Sequence, residues 1–286
     1  MKVYGKSVAD QKLIDIKLRQ GVDGIELHLP NEVLPAPDIL IKNKVKVIHM
    51  PLIPFEDYSI ESGKCFITLS KVADLAEEVA KAIEQNVIIV LHCGSSKAKL
   101  EHEARLDVVR ARLISCVESH PNVELALENV TPVKMISKYK HVLRNALPHD
   151  TVSVALYCNH ERIGTVLDIC HARMTDRFYR ILTQQYYEYW CPNGMEYTEL
   201  HDFFVANAPV IKLIHLAWCV GDGEGENHGT PIEDQTSMDQ VLSLYRKLHY
   251  NCPITIEVRE DDYVNDINFR KTYKTLKRSQ FFRMNE

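Results

Sequence analysis

Asp168 and His171 stand three residues apart in Gly164-Thr-Val-Leu-Asp-Ile-Cys-His-Ala-Arg173, directly after the apolar run Thr165 to Leu167. A carboxylate and an imidazole delivered where a strand ends can point at one place in space. That is ligand geometry for a divalent metal. The arrangement recurs: other apolar runs end in His49, His92, Glu128, His215 and Glu257. After His215 comes Gly221-Asp-Gly-Glu-Gly-Glu-Asn-His-Gly229, a glycine-rich acidic loop holding Glu226 and His228 as a Glu-x-His pair. Its glycines let the backbone fold close to an ion or ligand. Each residue alone has an ordinary reading, as a hydrogen-bonded core histidine or a carboxylate facing a helix N-terminus. Together they do not, because an unpaired carboxylate costs several kcal/mol to bury and must be paired or metal-bound.

His49, His92, Glu128, Asp168, His171, His215, Glu226, His228 and Glu257 are more ligands than one ion takes, about four to six. They suit a cluster of two or three ions. Histidines mixed with carboxylates favour zinc, with manganese or iron as alternatives, over the oxygen-preferring magnesium.

Such residues must be placed by regular elements. Short runs rich in β-branched residues cover Lys2 to Gly5, Gly24 to Leu29, Val45 to Met50, Asn86 to His92, Val123 to Glu128, Gly164 to Asp168, Val210 to His215 and Pro253 to Glu257. They read as buried parallel strands. Helical spacing lies between them, at Ser7 to Arg19 (with Ser7 as N-cap), Lys71 to Gln85, Glu103 to Ser119, Ser237 to Leu248 and Val264 to Leu276. Alternation of this kind predicts an α/β chain folded as a (β/α)₈ TIM barrel, one domain over residues 1–286, with the metal site at the C-terminal strand ends. An open doubly wound sheet explains the alternation too, but does not gather the strand ends around one centre. Two connections are long, the first being Ser59 to Ile67 after the third strand. The second, Ala172 to Asn207, carries Tyr186, Tyr187, Tyr189 and Trp190, which suit either a lid or binding surface or packing beneath the loop.

Composition sets the remaining bounds. The net charge is -5, which leaves no electrostatic footprint of a nucleic-acid binder, although three divalent ions would bring roughly six positive charges to the site. No run approaches the ~18 apolar residues of a membrane span, and the start lacks a signal-peptide core. A soluble cytoplasmic protein with free cysteines is expected.

The motifs His49-Met-Pro-Leu, His92-Cys-Gly-Ser, Leu127-Glu128-Asn129, Leu167-Asp-Ile-Cys-His171, Ile214-His215-Leu216, Glu226-Asn-His228 and Ile256-Glu257 carry a family resemblance. The chain resembles the xylose isomerase-like metal-dependent barrels and, within them, the endonuclease IV branch of apurinic/apyrimidinic endonucleases. The resemblance runs from Gly24 to Glu257. It implies a trinuclear zinc centre held by five histidines and four carboxylates. His49, His92 and Glu128 would bind one ion, Glu128, Asp168, His215 and Glu257 the central one, and His171, Glu226 and His228 the third. It also implies a metal-bridging hydroxide oriented by Glu128.

The chain departs from that pattern in three ways. Glu226 stands where the family has aspartate, and Asp222 or Glu224 compete for the role. The DNA-inserting loops are not recognisable, and the acidic balance lacks the basic face that phosphate contacts need. Sugar isomerases and epimerases of the same superfamily use only a Glu, Asp, His and Glu set around one metal, which by resemblance would be Glu128, Asp168, His215 and Glu257 here, and the opening Gly24-Ile-Glu-Leu is common in that branch.

Two enzyme classes follow. One is a phosphoester hydrolase acting on DNA or a smaller phosphoester. The other is a sugar or sugar-phosphate isomerase or epimerase in which Glu128 and Glu257 exchange a proton at carbon. Glu128 and Glu257 are catalytic candidates in both. Arg173, Lys97 and Lys99 suit either a phosphate contact or the solvated surface. Glu26 and His28 suit substrate contacts or barrel-interior pairing.

Overall fold

Alternate residues of a strand face opposite sides of its sheet, and that period of two builds this molecule. In the computed structural model, eight parallel strands close into a barrel in sequence order. They are β1 Val3–Ser7, β2 Gly24–His28, β3 Val45–His49, β4 Val87–Leu91, β5 Val123–Glu128, β6 Ile163–Asp168, β7 Ile211–Leu216 and β8 Ile254–Ile256. Closure pairs β8 with β1 through Val3 against Ile254 and Gly5 against Ile256. The structure describes residues 1–51, 63–92, 95–96, 102–131, 142–143, 147–176, 199–220 and 228–283.

Both faces of the strands are buried. Outward-facing residues such as Ile25, Ile48, Ile89, Leu125, Leu167 and Ile214 join the main core beneath the helices. Inward, Tyr4, Val47, Val90, Ala126, Val166 and Leu213 form a separate apolar plug inside the barrel. Two residues further along the same strand directions stand Lys6, His49, His92, Glu128, Asp168 and His215. The polar site is thus the next interior layer above the plug, at the C-terminal end of the strands.

The helices are α1 Gln11–Arg19, α2 Pro37–Lys42, α3 Gly63–Ile83, α4 His102–Ser119, α5 Asp150–Cys158, α6 Leu200–Asn207, α7 Gln235–Lys247, α8 Ile267–Arg278 and α9 Gln280–Arg283. Ser7 is not the first cap. It completes β1, and Asp10 caps α1 by accepting from the Leu13 amide at 3.1 Å. The carboxylate of Asp234 likewise accepts from Thr236 and Ser237, so α7 begins before Ser237. The connection after β6 is partly helical, at residues 169–176 and again in α6. Its aromatic stretch, Tyr186 to Trp190, lies outside the described residues, as do Lys97 and Lys99. A buried ion pair between Lys17 of α1 and Asp266, with Lys17 3.9 Å from the Phe269 ring centre, ties α8 to the first helix. Cys65, Cys116, Cys158, Cys170, Cys219 and Cys252 are buried and not joined in disulfides. No described helix is long and apolar enough to cross a membrane.

Gly164 shows how tightly the strand beneath Asp168 is packed. A Cβ there would lie 2.2 Å from the backbone oxygen of Val210 and 2.6 Å from Lys212 Cγ. Strand backbone cannot yield like a side-chain tip, so Gly164→Ala must part β6 from β7. Such overpacking destabilises by ~3 kcal/mol. A denaturant midpoint unchanged by the substitution would contradict this.

Candidate metal centre

The site is organised on Glu128, the last residue of β5, whose side chain is 1% exposed. Its Oε2 lies 3.0 Å from His49 Nε2 and 2.8 Å from His92 Nε2. Its Oε1 lies 3.0 Å from His215 Nδ1 and 3.7 Å from His171 Nδ1. Glu257 Oε2 approaches the same His215 nitrogen at 2.6 Å, and Asp168 Oδ2 stands 3.9 Å from it. Two ligand groups result: His49, His92 and Glu128, and Glu128, Asp168, His215 and Glu257. Within each, the donor atoms lie within 4.8 Å of one another. A third pairing faces His171 Nε2 to His228 Nε2 at 2.7 Å, with the rings stacked 4.8 Å apart. Glu226 lies outside the described residues.

The remaining ring nitrogens test whether these groups suit metal. A ligating histidine ordinarily gives its second ring N–H to a carboxylate or carbonyl, which fixes the tautomer and the ring orientation. His49 Nδ1 meets the Met50 carbonyl at 2.8 Å, and His171 Nδ1 meets the Asn129 carbonyl at 2.7 Å. His215 Nε2 donates to Glu26 Oε2 at 3.0 Å, with both side chains fully buried. In each case the other nitrogen is the one turned toward the carboxylates or a second histidine. Asn129 also braces the β6 end, donating to the Asp168 carbonyl at 3.0 Å and accepting from the Asp168 amide at 2.7 Å. The Asp168 carboxylate accepts from the His171 amide at 2.6 Å, which explains their spacing of three. The donor set fits divalent cations.

The electrostatics are those of a pocket short of positive charge. Burial and the neighbouring charges of Glu257 and Glu128 push Asp168 up to about 7. Burial opposes the ionised forms of Glu128 and Glu257 as well. For Glu128, His215 and His92 prevail, and for Glu257, Lys6 and His215 prevail, so both are held well below the usual carboxylate range. Burial also works against protonating His215, but Glu26, Glu257 and Glu128 outweigh it and raise its pKa. A proton on His215 Nδ1 therefore sits between two carboxylates, where a cation would otherwise neutralise them. Burial lowers His171, and burial with a neighbouring imidazole takes His28 and His228 down to about 4. The neutral imidazole favoured there is the ligating form.

Lys6, which sequence reasoning did not single out, belongs to the site. Its Nζ lies 2.5 Å from Glu257 Oε1 and 3.3 Å from Glu26 Oε1. Burial disfavours its charge, yet Glu257, Glu26 and Glu128 together raise its pKa. Its sequence signal is phase, two residues after Tyr4 on the same strand face, and the barrel register then sets it beside Glu26 on β2. Glu26 takes the barrel-interior pairing, with His215 and Lys6. The ring of His28 stands edge-on to His49, 5.1 Å between centres. Arg173 lies over the Trp218 ring at 3.6 Å.

Solved structures that share this (β/α)₈ barrel fold include both an epimerase-like protein and an endonuclease IV. The IolI protein with a bound zinc atom superposes with a TM-score of 0.66 at 14% identity, over 96% of each chain. A D-tagatose 3-epimerase-like protein gives 0.65 at 15% identity, over 97% of this chain and 98% of its own. Endonuclease IV from Thermus thermophilus gives 0.60 at 14% identity, over 98% of this chain and 100% of its own. No family model matches the chain, and no curated protein sequence matches it.

Proposed function

We propose that the protein is a metal-dependent phosphoester hydrolase with a polynuclear centre, acting on a compact phosphoester. One observation carries this reading: the two oxygens of Glu128 face two separate ligand groups, Oε2 toward His49 and His92 and Oε1 toward His215. A carboxylate so placed could serve a cation in each group. His49, His92 and Glu128 would hold one cation, and Glu128, Asp168, His215 and Glu257 a second. His171 and His228, with Glu226, would hold a third. When bound, divalent ions acidify water and neutralise the charge that builds on phosphate oxygens. The chain's own residues orient these groups. Glu26 and the Met50 and Asn129 carbonyls set the imidazole tautomers, and Asn129 fixes the end of β6 from which Asp168 projects. The acidic balance supports a compact phosphoester over a DNA duplex, with zinc or manganese as the ions.

Elemental analysis of the purified protein tests this reading directly. Two or three equivalents of zinc or manganese per chain are expected, with hydrolysis of a chromogenic phosphodiester. One equivalent, unaffected by His49→Ala and His92→Ala, would sink it. Preferential cleavage of abasic-site DNA would move the substrate from small phosphoester to nucleic acid.

A specific observation favours a second reading. Glu128, Asp168, His215 and Glu257 form a four-ligand group on their own, and a D-tagatose 3-epimerase-like protein and a D-allulose 3-epimerase share the fold. In that case Glu128 and Glu257 would exchange a proton at a sugar carbon beside one ion. Solvent deuterium entering a ketose or aldose in a sugar panel would support it, and phosphodiester hydrolysis without exchange would count against it.

A further inference from the structure

Lys6 places an ammonium inside a pocket assigned to cations, and this calls for a physical reason. A positive charge so close to the central ligands repels a divalent ion. What it does to Glu257 supplies the reason. Lys6 occupies Oε1 of that carboxylate at 2.5 Å, while Oε2 faces His215 Nδ1 at 2.6 Å and belongs to the group with Glu128 and Asp168. Carboxylates bind ions through one oxygen or through both. With Oε1 held by an ammonium, Glu257 offers one. Catalytic metal sites keep a position open for substrate or water, whereas structural sites are closed by protein ligands. Glu26 fixes the other side of the clamp: Oε1 lies 3.3 Å from Lys6 and Oε2 accepts from His215. One ammonium thereby braces a ligand directly and a second ligand through its hydrogen-bond partner.

We propose that Lys6 is a positioning residue that restricts Glu257 to one ligating oxygen and so keeps a coordination position open on the central ion. The proposal rests on the reading that Glu128, Asp168, His215 and Glu257 hold a divalent cation. It makes an unusual demand. Removing Lys6 must tighten metal binding, because repulsion is lost and Glu257 is free to chelate through both oxygens. A residue that only supported the fold would loosen it.

Cobalt(II), added to the metal-stripped full-length protein, is the probe. Its affinity is read by chelator competition and its coordination by visible absorption. In Lys6→Met the central cobalt is expected to bind about tenfold tighter than in the wild type. Its visible bands should weaken as the coordination number rises. Lys6→Arg, which keeps the charge, should restore wild-type affinity and spectrum. If Lys6→Met does not fold, Lys6→Leu carries the same measurement. Weaker or unchanged cobalt binding in the neutral variant, or an unchanged spectrum, overturns the proposal. Wild-type protein that takes up no cobalt overturns the metal reading itself. Wild-type protein that loads normally beside an unaltered Lys6 variant overturns only the role of Lys6.

Discussion

Glu128→Gln is expected to lower turnover by ~10³-fold or more and to deplete metal from both ligand groups at once. The magnitude follows from how many contacts one carboxylate serves. Outer partners of ligating histidines are typically worth ~10 to 100-fold in affinity or activity, and Glu128 stands nearer than any of them. Each tenfold in rate corresponds to about 1.4 kcal/mol, so the loss is about 4 kcal/mol of transition-state stabilisation. Glutamine preserves shape but not charge. Its amide can accept through one oxygen only, so His49 and His92 on one side or His215 on the other lose their carboxylate. His49→Ala, by contrast, should empty one group and spare the four-ligand group. The comparison of metal content in these two variants, with phosphodiester turnover measured alongside, distinguishes a bridging ligand from a local one. Full metal content and full activity in Glu128→Gln would refute the bridging assignment.

Asp168→Asn should abolish turnover while stabilising the metal-free protein above neutral pH. The sign follows from the direction of the shift. Burial and the charges of Glu257 and Glu128 raise Asp168 from 3.8 to about 7 in the folded state. Between those values the folded chain holds a proton that the unfolded chain has released, so stability falls as pH rises through that window. Above about 7 the full cost of an ionised, crowded carboxylate is present. Asparagine carries no such charge and keeps an oxygen for the His171 amide. Metal-free Asp168→Asn should therefore exceed the wild type at pH ~8 by on the order of 2 kcal/mol. The advantage should vanish near pH ~4. Thermal unfolding of the chelator-treated proteins at both values checks it, and a variant less stable at the higher pH would contradict the electrostatic account. Function here opposes stability, as at many sites built to hold charge.

Much of the fold was legible because parallel strands buried on both faces are written as apolar runs with charge only at their ends. The eight runs match the eight barrel strands to within a residue or two at most ends. The helices were less legible. α2 is six residues long, and α5 and α6 are nine and eight, too short for a marked apolar stripe. Ser7 looked like a cap because serine suits one, but barrel closure drew it into β1 and left Asp10 to cap α1. Among the described ligand candidates, the structure brings together His49, His92, Glu128, Asp168, His215 and Glu257, with His171 at their edge, 3.7 Å from Glu128, and paired with His228.

The sequence by itself determined the layers: which residues are apolar, which strand ends carry imidazole or carboxylate, and at what spacing along each strand. It determined no distance between strands. That Glu128 faces two ligand groups depends on the closure and stagger of the barrel, which bring β3, β4 and β7 around β5. Lys6 and Glu257 are 251 residues apart and meet only because β8 closes on β1. Side-chain phase is local, fixed by the two-residue repeat. The pairing of charges is global, and only the closed barrel decides which carboxylate faces a histidine and which faces the ammonium.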